Sequence, residues 1–522
     1  MKRGRLRHGV IAAGHPKTAE AADMVLDAGG NAFDAAMAAM AAACVAEPVL
    51  CSLGGGGFLL ARPEGRDPRL YDFFVQTPRR RLDGAEVDFY PVLCDFGTAQ
   101  QEFHVGLGSV ATPGCVKGLF QVVEELGTMP ARTIVEPAIE LARQGVELNR
   151  LQAYIFDVVG PIYMITEASR AIFQKPDKPG SLVGEGDVVG NRQFADFLEI
   201  LAIEGERLFY EGEVSAAIDT QCRAGGVLGR ADLERYELVR RRPLGFSFRG
   251  AELHTNPPPS SGGILIAFAM QLLEAAFSRD WRFGNAEHLA AMIRAMDLTN
   301  EARIESGLND RGADDAESRL LDPDLLARYR DQITGRAKAR RGTTHISIID
   351  RDGNAAALTL SNGEGCGHIV PGTGVILNNM LGEEDLNPAG FHAWPTDTRM
   401  VSMMAPTLIA EPGGRLTALG SGGSNRIRTA IMQVLVNVLG LGMHLPDAVE
   451  APRCHFENGR LDLEPPIADA ALEILQDAWP ELRVWDSLNL FFGGVHAVSA
   501  DFSSGNVVGA GDPRRGGVTI SR

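Results

Sequence analysis

No two of the seven cysteines form a CxxC pair. Their odd number and wide spacing (Cys44, Cys51, Cys94, Cys115, Cys222, Cys366, Cys454) argue against a disulfide framework or a zinc ribbon. Basic residues are also short, with 50 Lys and Arg against 67 Asp and Glu and a formal charge of -17. That balance is wrong for holding phosphate backbones, so no nucleic-acid partner is expected. Long apolar runs are missing too. The most apolar window, AFDAAMAAMAAACVAEPVL from Ala32, is broken by Asp34 and Glu47 and is mostly alanine, which suits a buried helix better than a bilayer span. No apolar stretch before Pro16 and Lys17 is long enough for a signal h-region, so a cytoplasmic protein with no membrane association is expected. There is no GxxxxGK[ST] loop, HExxH or GxSxG elbow, and none of the 11 histidines lies three or four residues from another. Phosphate-loop, zinc and serine-hydrolase machinery are therefore unsupported, and neither a cofactor nor a metal is expected.

What is present is an ordinary globular composition, 45% hydrophobic and 22% charged over 522 residues. The first two-thirds reads mainly as helices: KTAEAADMVLDAGG with Asn31 as cap for the alanine-rich helix, TIVEPAIELARQG, FADFLEILAIEG, LIAFAMQLLEAAF and EHLAAMIRAMDLTNEARI. Residues 306–342 are polar, with one helical segment around Pro323 to Tyr329, and Gly335 to Gly342 reads as an exposed loop of the kind where chains are cut. From Thr343 onward strands dominate. THISIID and AAALTLS flank the turn RDGN, a second hairpin turns at Gly413 and Gly414, and a third joins GVHAVSAD to VVGAG. Helices between these strand groups predict layered sheets with helices outside. SLGGGGFLL, from Ser52, lacks dinucleotide-fingerprint spacing and reads as a close backbone approach.

The junction GRAKARRGTTHISIID, residues 335–350, carries the chemical question. A threonine hydroxyl is a poor nucleophile until a base takes its proton. Cutting the chain before it supplies one, because an α-amine titrates at roughly 7.7–8 and is partly neutral at physiological pH. Such a residue needs a cleavable lead-in, a rigid strand and backbone N–H donors for the oxyanion. The loop ending at Gly342, the strand starting at Thr343 and the glycines Gly422 and Gly423 of LGSGGSNRI are candidates for the three. These features alone equally suit a strand that merely begins with polar residues.

More sequence bears on the choice. DAGGNAFDAAMA, SLGGGGFLL, SVATPGCVKGL, EPAIELARQG, NPPPSSGGILI, TTHISIIDRDGNAAALTLS, GVILNNML, MMAPTLI and LGSGGSNRIRTAI, in this order, resemble the γ-glutamyltransferase family of N-terminal-nucleophile hydrolases. The resemblance implies an α+β fold, a four-layer αββα sandwich. It also implies one precursor that cuts itself into a large subunit, residues 1–342, and a small one, residues 343–522, intertwined in one structural domain. A further homodimer is compatible with it. Thr343 would be the nucleophile, forming an acyl ester from an amide and passing the acyl group to water or an acceptor amine. Ser361 falls where the family has a second threonine beside the nucleophile. Gly422 and Gly423 match the oxyanion glycines, with Gly423 and Ser424 as the alternative pair.

The recognition residues depart from the family pattern. Phe74 stands where the family's arginine binds the γ-glutamyl carboxylate, and an apolar ring cannot make that bidentate contact. Arg79, Arg80 and Arg81 either reach the site from another angle or form a solvated basic turn. Met380 replaces a glutamine, Glu383 falls at an aspartate that holds the substrate amine, Ser402 and Met403 replace paired serines, and Gly363 replaces an asparagine. The segment Asp385 to Trp394 is short where some members carry a lid, which implies a more open cleft. Glu364, Cys366 and His368 either line the site or serve turns and strands. Asn425, Arg426 and Arg428 bind an acidic substrate or pair structurally. His345 is expected to be a hydrogen-bonded structural residue. Autoprocessing acyl transfer or hydrolysis on γ-glutamyl or related acyl amides, glutathione among them, is the leading expectation. The alternatives are a cephalosporin-acylase-like amide hydrolase and a noncatalytic, unprocessed binding protein.

Overall fold

The hairpin that starts beside Thr343 forms the middle of a sheet. Thr344–Asp350 and Ala355–Ser361 pair antiparallel with Thr344 opposite Leu360, and every residue of both strands is buried. The structure is a computed structural model that describes residues 9–82, 86–95, 100–306, 308, 316–330, 343–387, 390–457 and 459–521. The lead-in Gly335 to Gly342 lies outside the described residues.

Among the described residues a seven-stranded antiparallel sheet runs in the order Val518–Ser521, Gly9–Ala13, Thr344–Asp350, Ala355–Ser361, Gly56–Arg62, Arg69–Phe73, Val239–Arg241. A six-stranded sheet runs Asn506–Gly511, Gly494–Asp501, Arg415–Gly422, Thr407–Ala410, Ala251–Thr255, Leu244–Phe248. The two meet face to face, strands 344–350 and 355–361 packing on 415–422 and 494–501. Helices Pro16–Asp27 and Ala32–Ala46 cover the outside of the first sheet. Helices Ser261–Ala276 and Arg426–Leu435 cover the second. The result is the αββα sandwich expected from the motifs, with one apolar core between helices and the first sheet and another around the second sheet.

The period of two along strand 344–350 explains how a fully buried strand serves two interiors. Ile346 and Ile348 enter the core under helix 32–46, whereas His345, Ser347 and Ile349 point toward the second sheet. The alanine-rich window is the buried helix that was expected, and Asn31 caps it by accepting from the N–H groups of Phe33 and Asp34. Alanine brings helix and sheet close together.

Both ends of this helix are tied to the hairpin strand. At the N-terminal end, Asp350 Oδ2 accepts from the Ala32 N–H at 2.9 Å, while Oδ1 holds the turn through the N–H groups of Asp352, Gly353 and Asn354. At the other end, Glu47 accepts from Thr344 Oγ1 at 2.9 Å. The lengths agree: 15 helical residues span about 22 Å and seven strand residues about 23 Å.

The helical reading of the first two-thirds was incomplete. That region also supplies strands 9–13, 56–62, 69–73, 239–241, 244–248 and 251–255. The glycines of SLGGGGFLL make the close approach expected of them. A Cβ on Gly54 would lie 2.2 Å from the Ile376 carbonyl oxygen, and one on Gly55 2.4 Å from that of Ser361. Ile348→Ala should remove buried contacts beneath the hairpin and cost about 2–5 kcal/mol, read as a lower urea midpoint. A midpoint unchanged from wild type would mean that this side chain does not anchor the sheet.

Candidate active site

Thr343 lies at the mouth of strand 344–350, buried, in a cleft holding roughly 400 Å³ of empty space. Ser361, Phe74, Met380, Glu383 and Ser402 line the same cleft, so residues spread over more than 300 positions of sequence meet there. Extending the hairpin register by one residue sets Thr343 across from Ser361, side chains on one face. Ser361 Oγ accepts from the Gly363 N–H at 3.2 Å.

The glycines behind Thr343 are sterically required. A Cβ on Gly422 would sit 1.9 Å from the Thr343 carbonyl oxygen, so only glycine lets strand 415–422 approach this closely. Gly423 has φ +122°, and Ser424 has φ +50°. Asn425 then returns to the right-handed helical region at the start of helix 426–435. Two successive positive-φ residues turn the chain sharply from the strand into the helix, whose N-terminal end suits an anion. Ser424 lines the cleft and donates through Oγ to Asp385 Oδ2 at 2.6 Å.

Phe74 occupies the cleft as an apolar wall, stacked on Phe58 with ring centroids 5.3 Å apart. The arginines after it turn elsewhere. Arg79 pairs with Asp397, Arg80 donates to the carbonyls of Val227 and Gly226, and Arg81 donates to the Trp394 carbonyl. Behind Phe74, Arg399 donates to the Phe74 and Glu237 carbonyls and to the Tyr236 hydroxyl. Glu383 places Oε1 beside Gly363, where an added Cβ would meet that oxygen at 3.0 Å and Asn379 Oδ1 at 2.1 Å. Ser402 Oγ accepts from the Met404 N–H at 3.1 Å, and Met403 lines the cleft beside it.

Other candidates are structural. His345 shares hydrogen bonds with Thr359 Oγ1 at 2.7 Å and Ser347 Oγ at 2.9 Å, and burial, with His496 nearby, pushes its imidazole well below the usual range. Arg428 is buried against Glu457 and Asn300, and Arg426 stacks over Phe491. Cys366 and His368 lie outside the cleft lining, as does Glu364. Among the described residues, no group of three or more His, Cys, Asp or Glu could hold a metal ion. None of the helices there is long and apolar enough to cross a membrane.

Sequence reading missed the buried charges behind Thr343. Arg515 Nη1 donates to the Thr343 carbonyl at 3.2 Å, and burial lowers its guanidinium to about 10 despite Glu364, Asp512 and Glu47 nearby. Glu47 accepts from Thr18 and Thr344. Burial pushes its carboxyl above the usual range, with the two hydroxyls and Arg515 opposing. Asp385 was missed as well. It sits in the short segment read only for its length, and nothing local marks it as facing the cleft.

The family model for gamma-glutamyltranspeptidase matches residues 18–521. The chain belongs to the γ-glutamyltranspeptidase family. It is 29% identical to the glutathione hydrolase proenzyme of Escherichia coli, over 98% of this chain and 91% of that one. It is 30% identical to the acylase ACY 1 proenzyme of Pseudomonas sp. strain SE83, over 90% and 86%. The crystal structure of cephalosporin acylase from Bacillus halodurans superposes over 100% of this chain and 97% of that one, with a TM-score of 0.84 at 23% identity. The protein is therefore an enzyme of the autoprocessing amidohydrolase and acyltransferase type on the N-terminal-nucleophile fold.

The buried histidine gives a pH test of its structural role. Burial holds folded His345 well below the usual imidazole range, whereas the unfolded chain takes up a proton below about 6.5, so stability falls as pH drops through 6.5. The fall approaches about 1.4 kcal/mol per pH unit from this group. His345→Gln should flatten the decline in urea stability between pH 7.5 and 5 by about that slope and leave turnover within a few-fold. Loss of turnover in a folded, processed His345→Gln protein would give the imidazole a chemical role.

Proposed function

We propose that cleavage between Gly342 and Thr343 frees the α-amine of Thr343, leaving a large subunit of residues 1–342 and a small one of residues 343–522. The observation that carries this reading is the placement of Thr343. It immediately precedes a fully buried strand, faces a cleft, and has its carbonyl held by Arg515 and pressed against a strand that must be glycine at 422.

In this reading the freed amine takes the proton from Thr343 Oγ as the hydroxyl attacks the amide carbonyl. The tetrahedral oxyanion is stabilised by backbone N–H groups of the Gly422 to Ser424 turn. The C–N bond breaks, the proton passes to the departing amine, and the acyl group remains as an ester on Thr343. Water or an acceptor amine then takes the acyl group by the reverse proton path. Ser361, across the hairpin, orients the nucleophile's hydroxyl. Glu383, Ser402, Phe74 and Met380 form the walls that choose the acyl group. γ-Glutamyl or related acyl amides are the proposed substrates, supported by relatives named glutathione hydrolase and acylase proenzymes.

Denaturing electrophoresis with N-terminal sequencing should give fragments of 342 and 180 residues, the smaller beginning Thr-Thr-His. Thr343→Ala should abolish both cutting and turnover. A chain that stays intact at 522 residues after long incubation, or a cut elsewhere, would overturn the assignment.

A further inference from the structure

Resting on Thr343 as the nucleophile, we infer that among related acyl amides the enzyme's preferred donors carry an amine but no carboxylate on the acyl chain: ω-aminoacyl amides ahead of γ-glutamyl or glutaryl amides. The cleft charge is the reason. Its charged lining residues are Glu383 and Asp385, and no Lys or Arg lines it among the described residues. The nearby guanidiniums are committed elsewhere: Arg79 to Asp397, Arg80 and Arg81 to backbone carbonyls, Arg399 to carbonyls and the Tyr236 hydroxyl, with its Nε 3.5 Å from Asp72, Arg426 over the Phe491 ring, and Arg428, the one whose charge reaches Asp385, to Glu457 and Asn300 in the interior.

A substrate carboxylate brought into this space would lose its water without gaining a cation and would face two like charges in a low-dielectric site. Phe74 and the methionines of the lining offer it only apolar surface. An ammonium gains what the carboxylate lacks. Glu383 Oε1 lies beside Gly363, two residues past Ser361, and Asp385 is oriented by Ser424 in the turn that follows the glycine strand. Both carboxylates line the same cleft as Thr343, where an amine at the end of a short acyl chain would meet them. Met380, Met403 and Leu386 cover the methylenes between. The chemistry is the acyl transfer already given: the Thr343 Oγ–acyl bond forms, the amide C–N bond breaks, and the proton from Oγ leaves with the amine.

Four p-nitroanilides that differ only at the acyl chain separate the charges: γ-glutamyl, with amine and carboxylate; 4-aminobutyryl, with amine alone; glutaryl, with carboxylate alone; and butyryl, with neither. The processed enzyme should turn over 4-aminobutyryl with kcat/KM at least tenfold above γ-glutamyl and above butyryl, and glutaryl should be slowest, after subtraction of the rate with Thr343→Ala. Phe74→Arg should raise γ-glutamyl relative to 4-aminobutyryl by at least tenfold. Where that variant fails to fold, Asp385→Asn should shrink the advantage of 4-aminobutyryl over butyryl several-fold, mainly through KM. Thr343-dependent turnover in which γ-glutamyl or glutaryl equals or exceeds 4-aminobutyryl would overturn the inference and leave the nucleophile assignment standing. A correctly cut protein that turns over none of the four would overturn the inference, and an uncut chain would overturn the nucleophile assignment on which it rests.

Discussion

The strand that presents Thr343 is held in place at both ends by one buried helix. Asp350 accepts from the first N–H of helix 32–46, and Glu47, just past its last residue, accepts from the Thr344 hydroxyl. An alanine-rich helix can lie close on the sheet, and its length matches the strand, so the two bonds close without strain on either element. A residue that attacks with its side chain and draws its base from its own backbone needs such fixing, because small misplacements of reacting atoms cost large factors in rate. Strand 415–422 approaches from the other side. Gly422 admits the Thr343 carbonyl, and Arg515 holds that carbonyl in place.

The polar interior follows from the same arrangement. Between the sheets, His345 is satisfied by Thr359 and Ser347, whose hydroxyl also donates to the His496 carbonyl. Buried polar groups are tolerated when each finds a partner, and a neutral imidazole between two hydroxyls meets that condition at little cost. Behind Thr343, Glu47 and Arg515 lie in one buried cluster, which limits the cost of desolvating each. The cleft in front differs, with apolar walls and carboxylates. The charge that steadies Thr343 from behind is thus separate from the Glu383 and Asp385 carboxylates that line the cleft.

Much of this was legible in the sequence where the signal is local. The RDGN turn between alternating runs gave the hairpin, Gly413 and Gly414 gave the second, and Asn31 gave the helix start. The cleft residues Thr343, Ser361, Glu383, Ser402, Phe74 and Met380 were legible through ordered motifs, and the structure brings them together. Less legible were contacts that cross the chain. Glu47 meets Thr344 across 297 positions and Arg515 meets Thr343 across 172, with no spacing to announce either. Strands 244–248 and 251–255 are only five residues long and lie beside a long helix, so helical periodicity dominated their surroundings. The fate of Arg79, Arg80 and Arg81 was open for the same reason. Only the folded chain shows which acid or carbonyl each one meets.

The central claim is that the acyl group passes through an ester on Thr343. Rapid acid quenching of the enzyme during turnover of its best p-nitroanilide, followed by peptide mass mapping, tests it most directly. The peptide beginning Thr-Thr-His should gain the mass of the acyl group, and the added mass should decay when hydroxylamine or an acceptor amine is supplied. Acyl mass on any other residue, or turnover with no acylated peptide under conditions that trap the ester, would contradict it.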